Sequence, residues 1–476
     1  MTGSVFCRTI VPVTNKPKRP LQTLTAAGIS ASIEQSLPTT ITRIPIANLK
    51  CDPRNPRLHS DRQISQLAKS IKSFGFLWPV MIDGMQRVLA GHGRIEAAKR
   101  LGLQEVPTIS VHHLSESQRR AFMIADNRLA EQASWDKKLL AEQLKELCEV
   151  DLDFDLEAVG FEVGEIDVLI EGASPESKGE SDPADELPEN KGIEVSRKGD
   201  LWLAGPHRIY CGNCLDPESY LALMDSRRAS MVFTDPPFNV KIDGHATGLG
   251  AIRHREFPMG SGEMTASEFT DFLARGLQRC ACHSLDGSLH YVFMDWRHLG
   301  ELLAAGKHVY SELKGLCVWV KDNGGMGSLY RSQHELVLIF KSGKEKHRNN
   351  VQLGQYGRYR TNVWHYPGAN SFSRSTDEGN LLKLHPTVKP VALVADAIMD
   401  CTSRQDIVLD PFLGSGTTVI AAERTGRVCF GIELDPIYVD TIVSRWQAFT
   451  GQSARQESSG LTFAELEKEA SSESRG

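Results

Sequence analysis

Long apolar runs are missing from this chain of 476 residues. No stretch approaches the roughly 18 consecutive apolar residues that a membrane-spanning helix needs, so we expect no membrane segment. The segment Met1–Leu21 also lacks a compact apolar run followed by small residues, so it does not resemble a secretory signal. No internal repeat is visible in the sequence, which argues against a solenoid or a propeller.

A cysteine framework is also absent, although the chain contains ten cysteines. They are scattered along the sequence, which favours reduced thiols in the cytoplasm over disulfides. Two groups resemble part of a zinc site, namely Cys211 with Cys214, and Cys280 with Cys282 and His283. Neither is followed by a second pair at the spacing of a zinc finger, so we predict no metal site.

Excess positive charge is lacking as well, because the formal net charge is -6. The charge is distributed unevenly. Residues 171–190 hold seven acidic side chains and one basic one, whereas residues 341–374 hold seven Lys or Arg and one acid. A polyanion responds to such a local basic patch rather than to the net charge, so a nucleic-acid partner stays open.

Composition divides the chain into five segments. Residues 171–192 are rich in Glu, Ser, Pro and Gly, which is typical of a flexible linker. Before it, residues 41–170 show short strands and amphipathic helices, which predict a small α+β domain with a helical extension. After it, residues 193–450 alternate apolar strands with helices, which predicts an α/β domain built on a mainly parallel sheet. The two ends, 1–40 and 451–476, are predicted to be flexible.

The sharpest local signal is Asp235-Pro236-Pro237-Phe238, directly after an apolar strand at 229–234. The acid therefore lies at the carboxyl edge of the sheet, where open α/β folds bind ligands. The exocyclic amine of a nucleobase is a poor nucleophile because its lone pair is delocalised into the ring. A carboxylate at 235 and a carbonyl at 236 can accept both of its N–H groups, and two successive prolines fix the direction of that carbonyl. Phe238 offers an aromatic face to a base taken out of the duplex.

The second signal is the stretch DPFLGSGTT at 410–418, in which a strand ends at Asp410 and a helix begins near Thr417. Gly414 and Gly416 lie between them, and a glycine loop at a helix N-terminus favours an anion or a carboxylate. The loop lacks the Lys of a phosphate loop and the third Gly of the dinucleotide fingerprint. Glu433 ends the next apolar strand, where an acid can accept both hydroxyls of a ribose. The spaced set predicts a nucleoside cofactor.

Together with HPTVKP at 385–390 and GIELDPIY at 431–438, these motifs resemble the β-type DNA amino-methyltransferases, bacterial or phage enzymes. The resemblance covers about residues 195–450. It implies a Rossmann-like methyltransferase domain with a mostly parallel seven-stranded sheet, S-adenosylmethionine as cofactor, and double-stranded DNA as substrate. The catalytic residues that it implies are Asp235, Pro236, Pro237 and Phe238. The cofactor-binding residues that it implies are Asn213, His385, Lys389, Asp410, Phe412, Gly414, Gly416, Thr417 and Glu433.

The identity of the target base also follows from this resemblance. In the family an acid before Pro-Pro is usual for N6 of adenine, and a serine is commoner for N4 of cytosine. Asp235 therefore predicts adenine, with N4-cytosine as the alternative. Asn213 departs from the family, which often has an acid there, although an amide oxygen can still accept a hydrogen bond.

Basic and aromatic residues alternate between the two motifs, which favours contact with phosphates and with an unstacked base. The predicted DNA contacts are Arg331, Lys341, Lys344, Lys346, Arg348, Arg358, Arg360 and Trp364. A solvated basic loop is the alternative interpretation. The glycine-rich stretch 245–264 is predicted to order over the substrate.

Residues 41–130 resemble the ParB and sulfiredoxin-like fold, above all at the helix-opening loop Gly91, His92, Gly93 and Arg94. The resemblance implies an accessory module that contacts a nucleotide or DNA. Partition proteins have an arginine pair where this loop has Arg94 alone, and their helix-turn-helix DNA reader is not apparent in this sequence. A homodimer stays open. An alternative of another class is a ParB-type DNA-binding regulator with an inactive second domain, and an N-terminal nuclease would rest on fold analogy alone.

Overall fold

The computed structural model describes residues 40–150, 152–173, 182–185, 188, 194–240, 262–322, 324, 329–355, 357–368 and 388–473. The chain forms two compact units, Met1–Ser134 and Trp135–Gly476. Most of the stretch 245–264 and the predicted cofactor residue His385 lie outside the described residues. Over these ranges, no helix is long and apolar enough to cross a membrane. The same ranges contain no group of His, Cys, Asp or Glu that could hold a metal ion.

Over its described residues, 40–134, unit 1 contains one five-stranded sheet and three α-helices. The strands are β1 (Ile41–Pro45), β2 (Lys50–Cys51), β3 (Val80–Asp83), β4 (Arg87–Ala90) and β5 (Glu105–Val111). The helices are α1 (Asp61–Phe74), α2 (His92–Arg100) and α3 (Glu116–Ala130). The strands follow the order β1-β5-β3-β4-β2. Val80, Val88, Ile95 and Val106 pack together as the core between the sheet and its helices, because each presents its apolar side chain to the same face.

Two helices, α4 (Lys137–Glu149) and α5 (Val163–Ala173), come next in the chain. The sequence predicts them as an extension of the first domain, whereas their contacts belong to unit 2. Asp167 of α5 accepts hydrogen bonds of 3.0 and 2.8 Å from the two terminal nitrogens of Arg427, and both side chains are buried. A buried guanidinium needs such a carboxylate, because either charge left alone would be strongly destabilising.

Unit 2 is built on one large sheet, to which the described residues contribute ten strands. They are β6 (Leu201–Ala204), β7 (His207–Cys211), β8 (Ala229–Thr234), β9 (Ser284–Met294), β10 (Glu312–Val320), β11 (His334–Lys341), β12 (Val363–His365), β13 (Ile407–Asp410), β14 (Val428–Glu433) and β15 (Arg455–Gln456). Their order is β12-β10-β11-β9-β8-β13-β14-β7-β6-β15. The five central strands, β9 to β7 in this order, are mutually parallel.

Helices cover both faces of this sheet. They are α6 (Pro217–Met224), α7 (Ala266–Cys282), α8 (Leu299–Val309), α9 (Val391–Cys401), α10 (Thr417–Thr425), α11 (Pro436–Thr450) and α12 (Phe463–Glu473). The two covered faces explain why β14 is apolar almost throughout. The predicted α/β fold class with a mostly parallel sheet is confirmed. The sheet has more than the seven predicted strands because very short edge strands such as β12 and β15 join it.

The segment after Gly451 carries ordered structure where the sequence predicts a flexible tail. Strand β15 pairs antiparallel with β6, and α12 begins at Phe463. The Phe463 ring packs edge-on against Trp202 at 5.3 Å between centroids, and both are buried. One apolar contact and one strand pairing at the sheet edge thus order a stretch whose composition is otherwise polar.

Candidate active site

Three acidic residues meet at one edge of the large sheet. Asp235 directly follows β8, Asp410 ends β13, and Glu433 ends β14. Because β8, β13 and β14 are adjacent and parallel, their carboxyl ends lie side by side. The two motifs that the sequence places 175 residues apart, from Asp235 to Asp410, therefore share one sheet edge. This is the edge at which open α/β sheets bind ligands.

The carboxylate of Asp235 has one engaged oxygen and one free oxygen. Oδ2 accepts a hydrogen bond from Lys389 Nζ at 2.5 Å. Oδ1 is buried and has no hydrogen-bond partner among the described residues. Burial raises the pKa of this carboxyl to about 6, against the opposing effect of the Lys389 ammonium. A buried acceptor without a partner is costly, so Oδ1 is suited to receive an N–H from a ligand.

The residues after Asp235 form the walls of the same place. Pro236 is buried and Phe238 is half-buried, and the Phe238 ring packs against the apolar cores of unit 2. Asn239, which sequence reasoning missed, has φ of 54°. Its side-chain oxygen accepts from the backbone N–H groups of Gly262 and Met264 at 3.0 and 3.2 Å. Asn239 thereby fastens the end of the motif to the chain before α7.

Buried hydrogen bonds shape the glycine loop between β13 and α10. Asp410 Oδ1 accepts from the backbone N–H of Phe412 at 3.1 Å, and Oδ2 accepts from the hydroxyl of Thr418 at 2.6 Å. Burial raises the pKa of Asp410 to about 6. Gly416 has φ of 78°, and a Cβ built there would lie 2.7 Å from Ile442. Only glycine fits this position without strain, so the backbone approaches a neighbour closely at the start of α10.

Glu433 connects the glycine loop to the end of β14. Its Oε2 accepts from the N–H of Gly414 at 2.8 Å, and its Oε1 accepts from the N–H of Asp435 at 3.0 Å. Burial raises the pKa of this carboxyl to about 7. Each oxygen of a carboxylate can accept a second hydrogen bond. Glu433 can therefore accept ligand hydroxyls while it holds the loop in place.

Other predicted cofactor residues have local tasks. The side-chain oxygen of Asn213 accepts from the N–H of Leu215 at 3.0 Å and so closes a turn. The hydroxyl of Thr417 accepts from Arg445 at 3.2 Å. Phe412 lies partly buried beside Phe272, with ring centroids 6.1 Å apart. The amide of Asn213 and the hydroxyl of Thr417 thus have partners within the protein, whereas Phe412 keeps an apolar face at the loop.

Lys389 contacts the catalytic motif itself. Its ammonium pairs with the carboxylates of Asp235 and Glu335, and its contact with the cofactor, which the resemblance implies, stays a prediction. Glu335 and its second partner Lys321 were not predicted. Lys389 and the pair Lys321–Glu335 come from parts of the chain far from Asp235, so no spacing in the sequence joins them to it.

The predicted DNA contacts divide into two groups. Lys344, Lys346 and Arg348 are exposed on the segment after β11, Lys341 is half-buried there, and Arg331 donates to the carbonyl of Gly324. The second group is Arg358, Arg360 and Trp364, for which the structure corrects the prediction.

Arg358 donates to Asp396 and to Asp400, both at 3.0 Å, and Arg360 pairs with the same two acids. Arg358 and Trp364 are buried. The buried side chains of Arg358 and Trp364 stabilise unit 2 and are unavailable to a phosphate or a base, whereas the charge of the half-buried Arg360 is neutralised by the two acids.

The glycine loop of unit 1 lies at the start of α2. Gly91 has φ of 104°, and a Cβ built at Gly93 would lie 3.1 Å from the ring of His59. Arg94 donates to the carbonyls of Trp78 and Pro79, at 2.8 Å each. Burial lowers the pKa of Arg94 and that of His92, and Nε2 of His92 is buried without a hydrogen-bond partner in the described part of the chain.

Comparison with known families accounts for most of the chain. Residues 229–444 match the model of a DNA methylase family, and residues 30–128 match the ParB N-terminal domain. Residues 138–198 match the ParB-methyltransferase HTH domain. This last match identifies a helix-turn-helix region that was not apparent in the sequence, and it falls on the region of α4 and α5.

Individual relatives agree with the family match. A type II methyltransferase of Moraxella bovis, M2.MboI, is 25% identical over 256 residues, which is 51% of this chain and 88% of the relative. The type II methyltransferase M.ScaI of Streptomyces caespitosus is 32% identical over 108 residues, which is 23% of this chain and 35% of the relative. A solved structure, the PvuII DNA methyltransferase (cytosine-N4-specific), is 19% identical and covers 51% of this chain and 86% of its own, with a TM-score of 0.38. That score supports no argument about function.

These matches confirm the predicted combination of a DNA amino-methyltransferase domain with an N-terminal ParB-like domain. They confirm S-adenosylmethionine as the cofactor class with it, because the methylase family match spans both motifs. The site residues themselves stay predictions, and the choice between adenine and cytosine is left open.

Proposed function

We propose that this DNA methyltransferase transfers a methyl group from S-adenosylmethionine to N6 of an adenine that is flipped out of double-stranded DNA. The observation that carries the proposal is the free, buried Oδ1 of Asp235, at the same sheet edge as the glycine loop and Glu433. An acceptor for an amine and a cradle for a nucleoside cofactor thus lie together.

The residues present fit this cofactor. The carboxylate of Glu433 would accept hydrogen bonds from the ribose hydroxyls, and Gly416 lets the backbone of the loop pass close to Ile442 at the start of α10. Phe412 supplies an apolar surface beside the loop. When bound, the cofactor supplies a methyl group on a sulfonium, whose sulfur leaves as a neutral thioether.

The catalytic work falls to the motif at 235–238. Asp235 Oδ1 and the carbonyl of Pro236 accept the two N–H groups of the amine, which directs the nitrogen lone pair toward the methyl group. Phe238 stacks on the flipped base. As the nitrogen gains the methyl group it loses one proton, which Oδ1 accepts before it passes to water. No covalent intermediate with the protein is needed.

The first experiment identifies the product. The protein is incubated with unmethylated duplex DNA and the cofactor carrying a labelled methyl group, and the DNA is digested to nucleosides. We expect N6-methyladenine. N4-methylcytosine would decide for the alternative base, and no methylated nucleoside on DNA of varied sequence would favour the ParB-type regulator with an inactive second domain.

A variant of the catalytic acid tests the assignment of its role. Asp235→Ala removes the acceptor, and we expect the rate of transfer to fall by about 1,000-fold or more, in line with the loss of a preorganised group in other enzymes. Binding of the cofactor, measured by calorimetry, should stay within a few-fold, because Asp235 contacts the base rather than the cofactor. Full activity in this variant would contradict the assignment.

We further propose that Lys344, Lys346 and Arg348, with Lys341 and Arg331, contact DNA phosphates. Lys344, Lys346, Arg348 and Arg331 are exposed, and the half-buried Lys341 lies next to the first three in the chain, which supports this proposal. The N-terminal domain and the helix-turn-helix region would add recognition of DNA or of a nucleotide. Neutralising Lys344 and Lys346 together should weaken binding of DNA of any sequence and reduce its salt dependence.

A further inference from the structure

A row of four charged side chains begins at the catalytic carboxylate and leads away from the substrate. Asp235 Oδ2 lies 2.5 Å from Lys389 Nζ, which lies 3.1 Å from Glu335 Oε2. Oε1 of Glu335 lies 2.5 Å from Lys321 Nζ. Glu335 lies in β11, Lys321 follows β10, and Lys389 precedes α9. Lys389 contacts Asp235 Oδ2 directly, and Glu335 and Lys321 extend the row behind it.

Aromatic rings enclose the central lysine. Lys389 is 5% exposed, and its Nζ lies 4.8 Å from the ring centroid of Phe293 and 5.6 Å from that of Trp319. The Phe238 ring is 6.0 Å away. Ring faces attract a cation and exclude water, and a buried ammonium persists only where carboxylates pair with it. Lys389 is therefore held in one position by two carboxylates and a wall of rings.

This arrangement leaves Oδ1 as the oxygen of Asp235 that can accept a hydrogen bond from the amine. The Lys389 ammonium engages Oδ2, so the carboxylate cannot rotate freely, and Oδ1 remains the acceptor for the amine. We propose that Lys389, seated by Glu335 and Lys321, is a positioning residue that fixes the orientation and the charge of Asp235 for methyl transfer. The inference rests on the proposed function and adds to it the group that prepares the catalytic acid.

The charges around Asp235 lead us to expect opposite shifts in its pKa when Lys389 or Glu335 is substituted. Burial, the largest effect, raises the pKa of Asp235; Lys389 and Lys321 lower it, and Glu335 raises it. The remaining charged neighbour is Asp410, on β13. Removing the positive charge at 389 should therefore raise the pKa of Asp235, whereas removing the negative charge at 335 should lower it.

The experiment measures the single-turnover rate of methyl transfer against pH for Lys389→Met and Glu335→Gln, with cofactor affinity measured in parallel. For Lys389→Met we expect a loss on the order of 100-fold, as for a misplaced catalytic group. The acid limb of its pH–rate profile should move up by about one pH unit, and its Kd for the cofactor should change less than about threefold. For Glu335→Gln the acid limb should move down, with a smaller loss of rate. Lys389→Arg should recover part of the rate, because it keeps the charge.

Lys307→Gln, an exposed lysine of α8, is the matched control and should leave both rate and limb unchanged. If Lys389→Met fails to fold, Glu335→Gln and Lys321→Gln carry the test, and the second should raise the acid limb slightly. Two results would overturn this inference and leave the proposed function standing. One is an active variant whose pH–rate profile keeps its acid limb at the wild-type position, and the other is a cofactor Kd that rises in proportion to the lost rate. A wild-type protein that methylates no DNA would overturn the proposed function, and this inference with it.

Discussion

The two glycine loops of this chain have similar backbones and opposite surroundings. Each follows a strand and opens a helix with a glycine in the left-handed region, Gly91 at 104° and Gly416 at 78°. The buried carboxylate of Asp410 and the half-buried one of Glu433 surround the second loop. Beside the first, Arg94 donates to carbonyls rather than to a carboxylate. We therefore expect the neighbouring charges to select different ligands, a hydroxyl-bearing cation at the second loop and an anion at the first.

The largest expected effect is that of Gly416→Ala, because the second loop is packed more closely than the first. In Gly416→Ala the new Cβ meets Ile442 at 2.7 Å, in addition to the left-handed strain. Strain of about 1–2 kcal/mol and overpacking of about 1–3 kcal/mol should lower the free energy of unfolding of unit 2 and abolish cofactor binding. Denaturation followed by tryptophan fluorescence measures the free energy of unfolding, and calorimetry measures cofactor binding.

Gly91→Ala is the matched control for that change. Among the described residues, the atoms nearest to its Cβ belong to Val80, at 3.4 Å, and to Arg94, at 3.6 Å. We expect a loss of about 1–2 kcal/mol from strain alone, with cofactor binding unchanged. Equal cofactor loss in both variants would show that the two loops are not independent.

The next effect concerns the acid beside the second loop. Glu433→Gln keeps the shape of the side chain and removes its charge, so hydrogen bonds to ligand hydroxyls lose their ionic component, worth about 1.5–3 kcal/mol. Cofactor affinity should fall by about 10- to 100-fold. Glu218→Gln, at an exposed acid of α6, should have no effect. An unchanged Kd in Glu433→Gln would remove Glu433 from the cofactor site.

A smaller effect follows from the pKa of Glu433, which burial raises to about 7 in the free protein. Ligand hydroxyls favour the ionised carboxylate, so binding must release a proton below that pH. Affinity should therefore fall as pH drops through 7, by at most about tenfold per unit. Calorimetry in buffers of different ionisation enthalpy measures the released proton. Glu433→Gln should lose this proton release. If the release persists in Glu433→Gln, the proton comes from Asp410, whose pKa burial raises to about 6.

The sequence was informative where function depends on neighbours in the chain. Strands β8, β13 and β14, which carry the two motifs, were predicted from apolar runs that end in an acid, because buried parallel strands and the residues after them are contiguous. The network of Glu335 and Lys321 escaped prediction because its members meet only through the fold. Charge density along 341–374 misled for the same reason, since it says nothing of Asp396 and Asp400, the acids that neutralise Arg358 and Arg360.

The smallest expected effect tests the first loop. Arg94 is a half-buried cation that donates to the carbonyls of Trp78 and Pro79, so an anion at the loop should stabilise unit 1. Inorganic triphosphate at about ten times its Kd should add about 1.4 kcal/mol, read as slower hydrogen exchange of the amides of α2 and β3, with the exchange of unit 2 unchanged. Arg94→Gln should lose most of this increment, whereas Arg100→Gln, at the other end of the same helix, should keep it. An increment that survives in Arg94→Gln would place the anion elsewhere, and the two loops would then differ in their packing but not in the ligand they select.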